Sequence, residues 1–132
     1  MSLNIWAVLS ATIVAYLAGA LWYSPFGFLR HWSRETEIPV DAEPTNPVRV
    51  YGLTFLSTLI STLVLSWLIG PTPTLTDALT TGLVVGACLV SASLGINYQF
   101  GKQSLTLWII DSGFHCLRFL LIALILAIWP IG

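Results

Sequence analysis

The sequence predicts an all-α membrane protein: one transmembrane domain, residues 1–132, of four helices in an up-and-down bundle with both termini outside. Three observations predict it. Charge is scarce: Lys and Arg number five and Asp and Glu six in 132 residues, 8% in all, where a water-soluble domain carries about 25%. Hydrophobic residues make up 56% of the chain, the mean hydropathy is +0.86, and the apolar residues fall into four runs near the ~20 residues that a helix needs to cross ~30 Å of hydrocarbon. Finally, Lys and Arg cluster on one side of those runs. The net charge of -1 without a basic tract removes nucleic acid as a partner, because phosphate binding needs clustered cations. The expected surroundings are a lipid bilayer.

The first run, Ile5 to Tyr23, stops at Ser24-Pro25, since proline clashes with a preceding helical turn; the helix is expected over about 4–23. Residues 5–20 end in Ala18-Gly19-Ala20, which mimics a signal-peptidase site but lacks a basic segment before it, so the run is read as a span. The loop from Ser24 to Pro47 holds most of the charge. Its Phe26, Phe28, Leu29 and Trp32 interleave with Arg30 and Arg34, which suits a short helix lying at the headgroups; an ordinary solvated loop is the alternative. The second run, Val48 to Ile69, closes at Gly70-Pro71, giving a helix over 48–70. The third opens at Thr74-x-x-Asp77, an N-cap followed by a first-turn acid, and covers 75–97. The fourth, Ser104 to Ile131, covers 104–130. Short connections between the last three make them antiparallel neighbours. Cys88 and Cys116 both lie inside apolar runs and read as small hydrophobic fillers.

Arg30, Arg34 and Arg49 flank the first loop and Lys102 the third, while the termini and second loop have no Lys or Arg. The positive-inside rule therefore puts the long loop in the cytoplasm. Trp6, Trp67 and Trp129 fall at one level and Trp22, Tyr23, Tyr51 and Tyr98 at the other, as interfacial belts do.

In lipid, small residues at four-residue spacing mark close helix contacts. Ala11, Ala15 and Gly19 form such a face on the first span. The third offers Gly82 and Gly86 on one face and Ala87, Ser91 and Gly95 on another, which hints at neighbours on both sides and at a homo-oligomer or other membrane-protein subunits.

Only the fourth span carries charge at depth. At 100° per residue Asp111, His115 and Arg118 lie at about 0°, +40° and -20°, and about 10, 16 and 21 Å from Ser104. They form one stripe facing the bundle or a water-filled cavity, because intramembrane charges need partners. Trp22, Tyr23, Asn97, Tyr98 and Trp108 converge on the same end as possible lining, with Asn97 able to cap its helix or reach Asp111. A metal at Asp111 and His115 lacks further ligands, since Cys116 points about 100° away; a tetrapyrrole on His115 has only a lone histidine in its favour. Neither metal nor cofactor is expected. No Ser-His-Asp grouping stands out, so no catalytic residue is assigned and the chain is read as a non-enzyme.

Gly19-Ala20-Leu21-Trp22-Tyr23-Ser24-Pro25-Phe26-Gly27, the following Trp32, and Ile110-Asp111-Ser112-Gly113-Phe114-His115 resemble a bacterial family of small four-helix integral membrane proteins of unknown function. The resemblance spans nearly the whole chain and implies that Trp22, Tyr23, Ser24, Pro25, Asp111 and His115 belong to the family's pattern. It implies a bacterial cytoplasmic (inner) membrane, and no activity, cofactor or substrate. Two functions follow from the residues: a bundle whose Asp111, His115 and Arg118 bind or move a proton, ion or small anion, and a non-catalytic structural or accessory subunit of a larger membrane complex, in which the charges only fix packing.

Overall fold

A computed structural model describes residues 4–129. They form five helices: α1 (Ile5–Trp22), α2 (Leu29–Thr36), α3 (Pro47–Ile69), α4 (Leu75–Phe100) and α5 (Leu105–Ile128). Among the described residues there is no strand. Helices α1, α3, α4 and α5 are each long and apolar enough to cross a bilayer. Their bounds follow the four apolar runs, except that α4 continues past Asn97 to Phe100. The expected last turn of the fourth span, at 130–131, lies outside the described residues.

Each long helix begins the same way. Asn4, Asn46, Thr74 and Ser104 stand at the N-caps, and the side-chain oxygen of each accepts a backbone N–H three residues on, at 3.1 Å in all four. This satisfies one of the donors a helix leaves open at its start. Pro47 at the first helical position of α3 has no N–H to leave open. At the far end of α1, Ser24 Oγ donates to the Leu21 carbonyl at 2.6 Å and accepts from Phe26 N–H at 3.2 Å, while Phe28 N–H returns to the Trp22 carbonyl at 2.7 Å. The chain folds back so closely that a Cβ on Gly27 would collide with the Trp22 and Leu21 carbonyls; only glycine permits that approach. The turn sets the Phe28 ring 4.6 Å from the Trp22 ring and delivers α2, which carries Arg30, His31 and Arg34 on its exposed side and half-buries Leu29 and Trp32.

Helix α5 is the centre of the bundle and packs against α1, α2, α3 and α4. Ala7, Ala11 and Ala15 are fully buried along one side of α1, the small-residue face expected there, and Gly19 continues it against Phe114. Val8, Thr12, Thr62, Leu65 and Ile122 fill the core. The hydroxyls of Thr12, Thr54, Thr58, Ser61 and Thr62 all donate to carbonyls four residues back in their own helix, so they hide their polarity locally and add no bond between helices.

Helix α4 departs from the sequence expectation. Residues Val84–Val90 are π-helical, and Ser91 N–H and Ser91 Oγ both donate to the Gly86 carbonyl, the latter at 2.7 Å. The small residues run Gly82, Gly86, Ser91 and Gly95, a four-residue ladder with one extra residue between Gly86 and Ser91. On an ideal α-helix that residue would turn the second pair about 100° off the first. A π-turn absorbs it. All four consequently face α5: a Cβ on Gly82 would sit 2.7 Å from the Phe119 carbonyl oxygen and one on Gly86 3.0 Å from Cys116 Cα, while Gly95 meets the Trp108 indole, and Ser91 is buried with its Oγ 3.8 Å from Cys116 Sγ. The two faces read from the sequence are one, and Ala87, placed on the second, is exposed. Both small pairs are thus spent on contacts with α5.

Candidate functional site

Asp111 is buried on α5, and its carboxylate is shared between two phenols from different helices. Tyr23, immediately after α1, donates to Oδ1 at 2.6 Å, and Tyr98 of α4 donates to Oδ2 at 2.5 Å. A buried carboxylate needs such donors, and charge-assisted O–H···O bonds at this length are the strong kind. The effect is a three-helix knot at the end of the bundle where α1 finishes and α5 begins. Its supports come from the turn after α1. The Trp22 indole N–H donates to the Ile110 carbonyl at 3.1 Å, and its ring lies against Gly113, where a Cβ would be 3.0 Å from Trp22 Cζ2. The Tyr23 ring meets Phe114 edge-on at 5.6 Å and Trp32 of α2 at 6.5 Å. The segment Trp22-Tyr23-Ser24-Pro25 and the segment Asp111-Ser112-Gly113-Phe114-His115, far apart in sequence, therefore meet in space.

One turn deeper the stripe continues as a different unit. Arg118 Nε donates to His115 Nδ1 at 2.9 Å. Accepting there requires a lone pair on Nδ1, so His115 is the neutral Nε2–H tautomer in this arrangement. The guanidinium carbon lies 4.1 Å from the Phe119 ring centroid, a cation–π contact, and Arg118 Nη1 is buried with no hydrogen-bond partner. Among the described residues no carboxylate bonds to Arg118. The three residues share one face as expected, but Asp111 faces its phenols while His115 and Arg118 face each other.

His115 and Arg118 form part of the wall of a cavity of about 530 Å³ between α1, α3 and α5. Ala15, Gly19 and Ala20 line it from α1, Val50, Leu53 and Thr54 from α3. Tyr16 bridges the two walls, its hydroxyl donating to the Tyr51 carbonyl at 3.4 Å and its ring meeting Phe55 at 5.7 Å. The walls are mostly apolar. Its mouth is marked by Ala20, Val50, Leu53 and Thr54, all exposed on the outside of the bundle.

Of the other residues expected at the site, Tyr23 touches both the knot and the cavity, and Trp22 and Tyr98 serve the knot alone. Trp108 faces α4 instead, its indole N–H donating to the Ser91 carbonyl at 2.8 Å. Asn97 is exposed on α4, its backbone carbonyl accepting from Gly101 N–H at 2.8 Å; the tyrosines, not the amide, reach Asp111. Sequence reasoning did not place Tyr16, Phe114, Gly113 or Phe119 at the site. Gly113 and Phe114 lay inside the Asp-x-Gly-x-His segment, and Tyr16 is the sole tyrosine within an otherwise aliphatic stretch of the first run. Among the described residues no three His, Cys, Asp or Glu side chains come together, and Cys88 and Cys116 are free thiols.

A helical bundle with four membrane-length helices and an acid-histidine-arginine stripe on its central helix, the acid buried and the other two half-buried, is the class that this geometry defines. The chain belongs to the family described as Protein of unknown function (DUF1761), whose model matches residues 6–127. No curated protein and no solved structure matches it.

If the phenols act through the carboxylate, Tyr23→Phe and Tyr98→Phe should each lower the unfolding free energy by about 1.5–3 kcal/mol. The same changes made on an Asp111→Leu background should cost far less. Thermal unfolding in mild detergent checks this; equal losses on both backgrounds would mean that the rings act by packing alone.

Proposed function

We propose that this chain is a multi-pass protein of the bacterial cytoplasmic membrane, with both termini outside and the loop carrying α2 in the cytoplasm, and that its last helix holds a site for a small anion. The distribution of Arg30, Arg34, Arg49 and Lys102 supports the orientation. The amphipathic α2, with its exposed Arg30 and Arg34, suits the cytoplasmic headgroup layer, where basic side chains are attracted to anionic lipid.

One observation carries the site: Arg118 is a half-buried cation whose hydrogen-bond partner is a neutral histidine, on the wall of a cavity. Taking a charge out of water costs several kcal/mol unless an opposite charge balances it. Asp111 has both oxygens engaged elsewhere. An anion in the cavity supplies the balance. Among a proton, a cation and an anion the last suits the local charge best: a cation would be repelled by Arg118, and a proton passing through His115 Nδ1 would displace the bond from Arg118. No reaction is assigned, since the stripe offers no activated nucleophile.

A second reading, that of a structural or accessory subunit, is favoured by the closure of the Asp111 knot and by the broad apolar exterior, with Val48 85%, Trp67 61% and Leu89 61% exposed. Under that reading the protein leaves mild detergent with a stoichiometric partner and is indifferent to anions.

The orientation predicts that alkaline phosphatase fused after the last helix is active and that the same enzyme inserted between residues 38 and 46 is not; the opposite pattern would reverse the topology. For the site, purified protein in neutral detergent should be stabilised by acetate or phosphate, by about 2.7 kcal/mol at a hundred times the dissociation constant, and Arg118→Met should lose that gain. A wild type whose unfolding temperature ignores every anion tried would sink the anion site.

A further inference from the structure

The cavity is larger than a small anion needs. About 530 Å³ lies within the ~300–1,000 Å³ of sites for whole organic molecules, whereas one water takes a share of only ~30 Å³. Its charge is also unevenly distributed. The cationic group is confined to the α5 wall, at Arg118 with His115 beside it, while the α1 and α3 walls present Ala15, Gly19, Ala20, Val50 and Leu53 together with the hydroxyls of Tyr16, Thr54 and Thr58, which are spent on backbone carbonyls. Those walls reach the exterior of the bundle, where Val50 is 40% and Leu53 56% exposed, beside the exposed Thr54 and Ser57. An occupant would therefore enter sideways between α1 and α3 near the level of Tyr51, where headgroups give way to acyl chains.

Charge and shape together specify the occupant. A purely apolar molecule would leave the guanidinium unbalanced. A compact inorganic anion would leave the Ala15, Ala20 and Leu53 walls without contact. Resting on the anion-site reading above, we propose that the cavity binds an amphipathic monoanion, a molecule with one acidic headgroup that pairs with Arg118 and an apolar body that lies between α1 and α3. A single-chain carboxylate and an anionic phospholipid share that chemistry. Tyr16, bonded across the walls to the Tyr51 carbonyl by a long 3.4 Å contact, is the lining side chain that joins the two helices beside which the body would lie.

The test uses the full chain in phosphatidylcholine nanodiscs, with radiolabelled decanoate measured by equilibrium dialysis against protein-free discs. Saturable binding of about one decanoate per chain is expected, with acetate unable to compete at equal concentration. Arg118→Met should weaken binding by about 30-fold or more, as loss of a buried charged partner does, and Arg118→Lys should restore part of it. Ala20→Leu, a change at an exposed position that fills the mouth without removing Arg118, should weaken decanoate binding far more than it weakens acetate stabilisation of the detergent-purified protein. Discs containing phosphatidylglycerol decide the source: displacement of decanoate by it identifies a membrane lipid as the occupant, and undiminished decanoate binding identifies a free single-chain acid. Acetate binding as tightly as decanoate, or Ala20→Leu leaving decanoate binding intact, would overturn the amphiphile while leaving the anion site standing. Decanoate and acetate both indifferent to Arg118→Met would overturn both.

Discussion

The carboxylate of Asp111 is the point from which the rest of this bundle is arranged. A carboxylate buried among apolar helices must be met by donors, and the chain brings two, from α1 and α4, to opposite oxygens of one side chain. That requirement fixes the rotation of α5, since Asp111 has to face the gap between those helices. With α5 turned that way, Gly113 comes under Trp22 and Phe114 against Gly19 and Tyr23. The sharp turn after α1 exists to deliver Trp22 and Tyr23 together, and α2 lies over it through contacts between Trp32 and Tyr23 and between Phe28 and Trp22.

Close approach of α4 to α5 is the second constraint, and it depends on the first. Tyr98 reaches Asp111 only if the last ten residues of α4 present the correct side to α5, and Gly82 and Gly86 pack on α5 only if the stretch from Leu75 to Gly86 does as well. One surplus residue separates the two halves. The π-helical turn at Val84–Val90 reconciles them, so that the backbone contacts at Phe119 and Cys116 and the phenol contact at Asp111 are made by one continuous face.

Much of this was legible in the sequence, because hydrophobic runs, proline stops and N-cap residues act locally. The four long helices, the small-residue face of α1 and the shared face of Asp111, His115 and Arg118 follow from length and from 100° spacing. What the spacing could not show is where each charged group finds its partner. Tyr23 is 88 residues from Asp111 and Tyr98 is 13 away, and nothing local pairs them. The merging of two faces on α4 was hidden by the assumption of uniform α-geometry; the five-residue step from Gly86 to Ser91 was the visible sign of it. Asn97 was read as a helix end because of its polarity, yet α4 runs on to Phe100 and leaves its side chain outside.

Once Asp111 is committed to its two phenols, Arg118 is left as a half-buried cation with His115 for company and a cavity beside it. The functional reading turns on that division of the stripe. It is tested most directly by side-chain ¹⁵N NMR of the arginines, with the Arg118 signal identified by its loss in Arg118→Met. The division predicts that Arg118 resonances shift when a carboxylate is added and stay in place when Asp111 is changed to Asn. Resonances that ignore added carboxylate but move in Asp111→Asn would show that Asp111 is the counter-ion of Arg118, and would contradict it.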